Sequence, residues 1–135
     1  MDIAVNILTI SQIGAKVIKL GLSYSKTAGG LSEDIQTLLS EVGLLSEVLS
    51  SVTASLLGGK NGSVEHLEAL TRECKKQLDE LCKFLEKSLG TTGTKSNAIG
   101  RMLRWPLKEA ETKGWVARIE RYKNTFMLAL KTEEM

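Results

Sequence analysis

A chain of 135 residues, 42% hydrophobic and 25% charged, has the size and balance of one folded domain (1–135) and excludes a low-complexity, collagen-like or disulfide-stapled chain. Proline occurs once and aromatic residues make up 4%, so long stretches carry neither helix breakers nor the enrichment that strands favour. A formal charge of +2 gives no case for nucleic acid, which needs Lys and Arg gathered on one surface.

The opening segment predicts one long amphipathic helix from Asp2 to Lys26. Polar residues Asp2, Asn6, Thr9, Gln12, Lys16, Lys19, Ser23 and Lys26 recur every three or four positions, and Ile3, Ile7, Ile10, Ile13, Val17, Leu20 and Tyr24 line the other side. Residues 3–15 hold no charge, and the small residues Ala4, Ser11, Gly14, Ala15 and Gly21 permit close helix contact. A membrane-spanning helix needs about 20 predominantly apolar residues, and Lys16 and Lys19 interrupt this run before that length, so a helix of a bundle is the first expectation. No basic cluster precedes the apolar stretch and no secretory cleavage pattern follows it, which predicts a cytoplasmic chain. Thr27-Ala28-Gly29-Gly30 ends the helix, because consecutive glycines permit the left-handed backbone of a helix end.

A second helix is predicted from Leu31 or Ser32 to Leu57, with Ser32 as its cap and Glu33 and Asp34 favourable in its first turn. Ile35, Leu38, Val42, Leu45, Leu49, Val52 and Leu56 form a narrow seam suited to bundle packing, widened by Leu39, Leu44, Val48 and Leu57. After a glycine-rich turn at 58–63, a third helix runs from Val64 to about Leu89 on Val64, Leu67, Thr71, Cys74, Leu78, Leu81 and Leu85. A Gly/Thr/Ser-rich loop at 89–97 leads to a short helix at Ala98–Trp105, ended by Pro106, which steers its predecessor out of helical geometry. The fourth long helix is expected from near Leu107 to about Lys131, burying Trp115, Ile119, Tyr122, Phe126 and Leu130. The fold class is therefore all-α: an antiparallel four-helix bundle with an additional short helix before the last long one, short loops favouring antiparallel neighbours.

Chemistry is sparse. His66 is the single histidine, with no further N or S ligands at metal-binding spacing. Cys74 and Cys82 share a helix about 12 Å apart, too far to bridge each other, and read as buried free thiols. Gly58-Gly59-Lys60 follows a helix rather than a strand and lacks the spaced first glycine of a phosphate loop. Carboxylates fall on outer faces as i,i+4 partners of Lys and Arg, so no catalytic dyad, metal site or cofactor is expected, and the chain reads as a non-enzyme. Residues 101–131 hold Arg101, Arg104, Lys108, Lys113, Arg118, Arg121, Lys123 and Lys131 against only Glu109, Glu111 and Glu120, which makes the last helix basic. Joined to Trp105, Trp115 and Tyr122, that charge suits an anionic membrane surface or an acidic partner.

Four stretches together resemble a known family. They are an N-terminal Met-Asp before a long apolar helix, Leu38-Leu39-Ser40-Glu41-Val42-Gly43-Leu44-Leu45-Ser46-Glu47-Val48-Leu49, the Cys74, Leu78, Leu81 run, and Arg104-Trp105-Pro106-Leu107-Lys108 leading into Ile119-Glu120-Arg121-Tyr122-Lys123-Asn124-Thr125-Phe126-Met127-Leu128-Ala129-Leu130. The pattern resembles the fungal HeLo-like domain over nearly the whole chain, most specifically at the Trp-Pro hinge and the tail after it. That family is the N-terminal effector module of fungal NOD-like receptors, ankyrin-repeat proteins and small amyloid-controlled cell-death proteins, and is similar to the four-helix executioner domains of animal necroptosis and plant immune receptors.

The resemblance implies a membrane-targeted programmed cell-death effector in fungal immunity and heterokaryon incompatibility. An upstream receptor or amyloid segment, which these 135 residues do not include, would drive self-association. The domain would then move from the cytoplasm to anionic lipids of the plasma membrane and permeabilise it. The membrane-inserting residues would be Ile3, Ile7, Leu8, Ile10, Gly14, Val17 and Gly21, and the basic membrane-surface residues Arg118, Arg121 and Lys123. Lys16 and Lys19 depart from the most hydrophobic family members. The alternative expectation is a non-lytic signalling and oligomerisation module.

Overall fold

A computed structural model describes residues 3–57, 64–89 and 105–134, and these fold as an all-α four-helix bundle: α1 Ile3–Ala28, α2 Glu33–Leu57, α3 Val64–Leu89 and α4 Glu109–Glu134. The predicted turn at 58–63, most of the loop at 89–97 and the short helix at 98–104 lie outside the described residues. Trp105 itself is not helical.

Local chemistry sets the helix ends. At the close of α1, the Gly29 and Gly30 N–H groups both donate to the Ser25 carbonyl, at 2.9 and 3.0 Å, with φ of 83° and 138° that a side chain would resist. Two residues later Ser32 starts α2, its Oγ accepting from the Ile35 N–H at 3.3 Å. The fourth helix begins at Glu109 rather than near Leu107, because Lys108 is its cap. The Lys108 carbonyl accepts from the Thr112 N–H at 2.8 Å, and the Glu111 carboxylate reaches back to the Lys108 N–H at 2.8 Å. Trp105 Nε1 donates to Thr112 Oγ1 at 3.1 Å, which ties the Trp-Pro segment to the first turn of α4.

Pairs between helices give the topology. Gly14 faces Val42 and Ser46 while Gly21 faces Leu39, so α1 and α2 run antiparallel. Asn6 meets Lys75 and Lys16 meets Glu86, so α1 and α3 run parallel. Glu41 meets Lys123 and the Asp34 charge acts on Lys113, so α2 and α4 are parallel as well. Arg118 bonds Gln77 and Tyr122 faces Glu73, making α3 and α4 antiparallel. Successive helices thus alternate in direction, as predicted. Their arrangement around the bundle differs from the expected antiparallel neighbours, however. The most extensive packing is α1 on α3 and α2 on α4, both parallel, with α1 also along α2 and little between α3 and α4. The helices α2 and α3 occupy opposite corners, and a short connection has not made them neighbours.

One core fills the centre, with Ile10, Val17, Leu38, Val42, Leu45, Leu49, Leu81, Leu85, Ile119 and Phe126 almost wholly buried. The predicted seams lie in it from Ile35 to Val52 in α2 and from Leu67 to Leu85 in α3, the side chains of Leu56, Leu57 and Val64 being outside the described residues, while Leu44 is exposed and Trp115, Tyr122 and Leu130 are half-buried at its edge. Asn6, placed on the polar side by periodicity, is instead buried.

Truncating Leu45 or Leu81 to alanine is expected to cost about 2–5 kcal/mol, and Glu47→Ala, on the exposed face, less than about 0.5 kcal/mol. Chemical denaturation of the three variants checks this, and equal small losses would refute the core assignment.

Candidate functional site

Seven residues of α1 form the expected membrane-inserting set, and the bundle divides them. Ile3, Ile7, Ile10, Gly14, Val17 and Gly21 recur three and four apart and make up the buried face. Leu8 stands on the opposite side and is 58% exposed. The glycines are buried because α2 lies against them. A Cβ on Gly14 would stand 3.2 Å from Val42 Cγ1 and 3.3 Å from Ser46 Oγ, and one on Gly21 only 2.6 Å from Leu39 Cδ1. Sequence reasoning missed Val5 and Leu22, which join Leu8 outside at 54% and 51% exposure. The signal for them was available: both sit within the polar stripe, where large apolar side chains have no core to enter.

Two polar ties hold α1 to α3. Lys75 Nζ donates to Asn6 Oδ1 at 3.2 Å, and Lys16 Nζ pairs with Glu86 at 3.2 Å in a partly solvated bridge. The Glu86 hydrogen bond and charge hold the Lys16 ammonium above its ordinary pKa. The Asn6 amide nitrogen is buried with no acceptor, and such an unmet donor costs about 1–3 kcal/mol.

The three basic residues expected to form one membrane patch are not equivalent. Arg118 stacks over the Trp115 ring at 4.3 Å and donates to Gln77 Oε1 at 2.8 Å, which uses it to join α4 to α3. Lys123 is withdrawn between α2 and α4, its Nζ 3.0 Å from Glu41 Oε1, the two side chains 15% and 14% exposed. That approach is an ion pair by distance but off the hydrogen-bonding direction, so the Glu41 oxygen lacks a directed donor. Arg121 is exposed, with no ion pair among the described residues. Glu41 was missed because a carboxylate beside an apolar seam looks like any outer-face residue until a lysine from another helix is placed against it.

Elsewhere the chemistry is quiet. Glu68–Arg72, Asp79–Lys83 and Glu109–Lys113 are the expected i,i+4 pairs, and His66 is exposed. Among the described residues, no group of three His, Cys, Asp or Glu is placed to hold a metal ion. A cavity of about 450 Å³ at one end of the bundle is walled by Tyr24, Trp105 and Leu107 and edged by Asp34 and Glu109, with the two rings 5.4 Å apart. The Ser32 and Thr112 hydroxyls in its lining are engaged locally, Ser32 Oγ accepting from the Ile35 N–H and Thr112 Oγ1 donating to the Lys108 carbonyl while it accepts from Trp105 Nε1. Burial pushes the Cys74 thiol up to about 12 and raises Cys82 too, which keeps both protonated and unreactive at neutral pH.

Lys123→Met alone leaves Glu41 enclosed without its counter-charge and is expected to cost about 3 kcal/mol, most of it recovered in the Glu41→Leu/Lys123→Met pair. A double-mutant cycle by denaturation measures this. The Cys74 thiol is raised in the folded chain, so its contribution is complete below the unfolded value near 9 and is lost as pH rises toward about 12. Wild type is therefore expected to lose more melting temperature between pH 8 and 10.5 than Cys74→Val, and parallel melting curves would refute this.

Comparison with family models, curated proteins and solved structures finds no match to this chain.

Proposed function

We propose that this chain is a membrane-targeting programmed cell-death effector domain, closed as a bundle in the cytoplasm and activated by oligomerisation at the plasma membrane. In this reading α1 leaves the bundle and permeabilises the bilayer, with an upstream receptor or amyloid segment as the trigger and no catalytic step. The support comes from the resemblance to the fungal HeLo-like domain and from one observation. Within an otherwise ordinary bundle, α1 is the single described helix long and apolar enough, by length and composition, to cross a membrane, and only about a third of its most apolar window is buried. Side chains such as Ile7 and Ile10 move from core to lipid with little hydrophobic loss, so release costs mainly helix packing and the core left open. Oligomerisation has to supply that difference.

A non-lytic signalling module is the second reading, favoured by Lys16, which is bridged to Glu86 and has to be stripped of that partner before α1 moves. Buried substitutions such as Ile7→Glu would unfold the bundle and leave the two readings undivided. A reversible lock separates them. A Cβ at position 14 stands 3.3 Å from Ser46 Oγ, close to where the sulfur of a Ser46→Cys variant would lie, which puts the two side chains within bridging reach in the Gly14→Cys/Ser46→Cys variant. When the domain is fused to an inducible oligomeriser, the oxidised variant is expected to release no dye from anionic vesicles, and reduction to restore release. Equal leakage in both states would remove α1 from the mechanism, and no leakage from the wild type would leave the signalling reading ahead.

A further inference from the structure

The side of α1 that the bundle does not use has its own composition. Val5, Leu8 and Leu22 are each more than half exposed there, and Lys16, Lys19 and Lys26 lie among them. At 100° per residue all six fall on the half of the helix turned away from α2 and α3. No Asp or Glu occurs from Ile3 to Ser32, so this face is cationic as well as apolar. The flanking acids are few: Glu86 is paired with Lys16 and Asp79 with Lys83, which leaves Glu47 of α2 at the margin. Among the described residues, no carboxylate pairs with Lys19 or Lys26.

We infer that this outer face of α1 is the surface by which the closed bundle first docks on an anionic lipid bilayer, before any helix is released. The inference rests on the membrane-acting reading and names the surface it uses. Charge complementarity selects the occupant: apolar side chains flanked by lysines lie in the headgroup boundary with the ammonium groups among anionic phosphates, and the long lysine stems reach outward from the same helix. The basic residues of α4 do not offer an equivalent surface. Lys123 is enclosed against Glu41, Arg118 is exposed but held over Trp115 and by Gln77, and α4 occupies the corner diagonal to α1.

The test is vesicle co-sedimentation of the un-oligomerised chain, using phosphatidylcholine vesicles with and without phosphatidylserine. Wild type is expected to bind the anionic vesicles, to lose binding in 0.5 M salt, and to bind equally well in the oxidised Gly14→Cys/Ser46→Cys form, which cannot release α1. Lys19→Gln/Lys26→Gln is expected to weaken binding about 25-fold, since each basic residue at such a surface contributes about fivefold. Leu8→Gln/Leu22→Gln is expected to weaken it about tenfold or more. All four positions are exposed, so unchanged melting curves verify that the bundle stays folded, and Lys76→Gln/Lys108→Gln, at two other exposed positions, removes the same net charge elsewhere.

Binding that survives both α1 variants, or that follows Arg118→Gln/Arg121→Gln instead, overturns the inference. So does a lipid-free dimer that the same α1 substitutions dissolve, which would assign the face to a second copy of the chain. Wild type that leaks vesicles on forced oligomerisation but does not bind them alone overturns this inference and leaves the proposed function standing. Absence of both binding and leakage removes both.

Discussion

The close approach of α1 to α2 decides how this bundle is built. Gly14 and Gly21 lie one heptad apart on the buried face, and each is met by a side chain of α2 at a distance that leaves no room for even a methyl group without displacement. Because α1 sits that deep against α2, its remaining buried face is free to lie along α3, and Ile3, Ile7, Ile10 and Val17 enter the shared core. The helix α4 then completes the bundle from the far side of α2, with Phe126 and Ile119 as its contribution to the centre. A side chain at Gly21 would have to turn the Leu39 methyls aside, and one at Gly14 needs Val42 to give by a few tenths of an ångström, so each glycine lets α1 lie closer to α2 than a larger residue would.

The seams differ in kind. Between α1 and α2 contact is small and apolar, whereas the two parallel pairs each carry a polar group where burial is costly: Asn6 between α1 and α3, and the Glu41–Lys123 pair between α2 and α4. None of these adds much net stability, since desolvation offsets most of the attraction in an enclosed pair and the Asn6 amide is half satisfied. Their effect is on register. An apolar seam tolerates a slide of one turn, but such a slide would strand Glu41 opposite hydrocarbon and Asn6 without Lys75. The parallel arrangement of α1 with α3 and of α2 with α4 is thus marked by polar contacts, while the apolar core supplies the stabilisation.

The four long helices and most of their buried positions were legible in the sequence because a 3.6-residue period leaves a direct trace in polarity. Ser32 as a cap and Gly29–Gly30 as a terminus were equally local. What the chain did not reveal was which helix lies beside which, since the apolar stripes of α2 and α3 are alike and loop length constrains ends rather than faces. The same blindness hid Asn6 and Glu41, whose positions in the helical period are those of ordinary solvated residues until a lysine from another helix meets them. It also split the candidate site: the resemblance, not periodicity, groups Leu8 with the membrane-inserting residues, and Leu8 faces solvent while the other six face the core.

That division has a consequence for how α1 would act on a bilayer. A bundle docked through Leu8, Leu22 and the lysines presents its isoleucine face away from the lipid, so insertion from that state requires α1 to leave α2 and α3 and turn, rather than simply sink. Once turned, the charge-free run Ile3–Ala15 is 13 residues long, about 20 Å of helix against roughly 30 Å of hydrocarbon. Lys16 and Lys19 therefore meet the membrane before the helix has crossed it. A charge at the bilayer centre costs about 2.5–3.5 kcal/mol even on the insertion scale, so a single α1 is held with its lysines at the headgroups and the run before them in the hydrocarbon, short of the far side. A complete crossing becomes favourable only when several copies turn their lysines toward a shared aqueous lumen. In the proposed mechanism oligomerisation then has two separate roles, offsetting the packing lost when α1 leaves the bundle and providing the wet interior in which Lys16 and Lys19 remain charged.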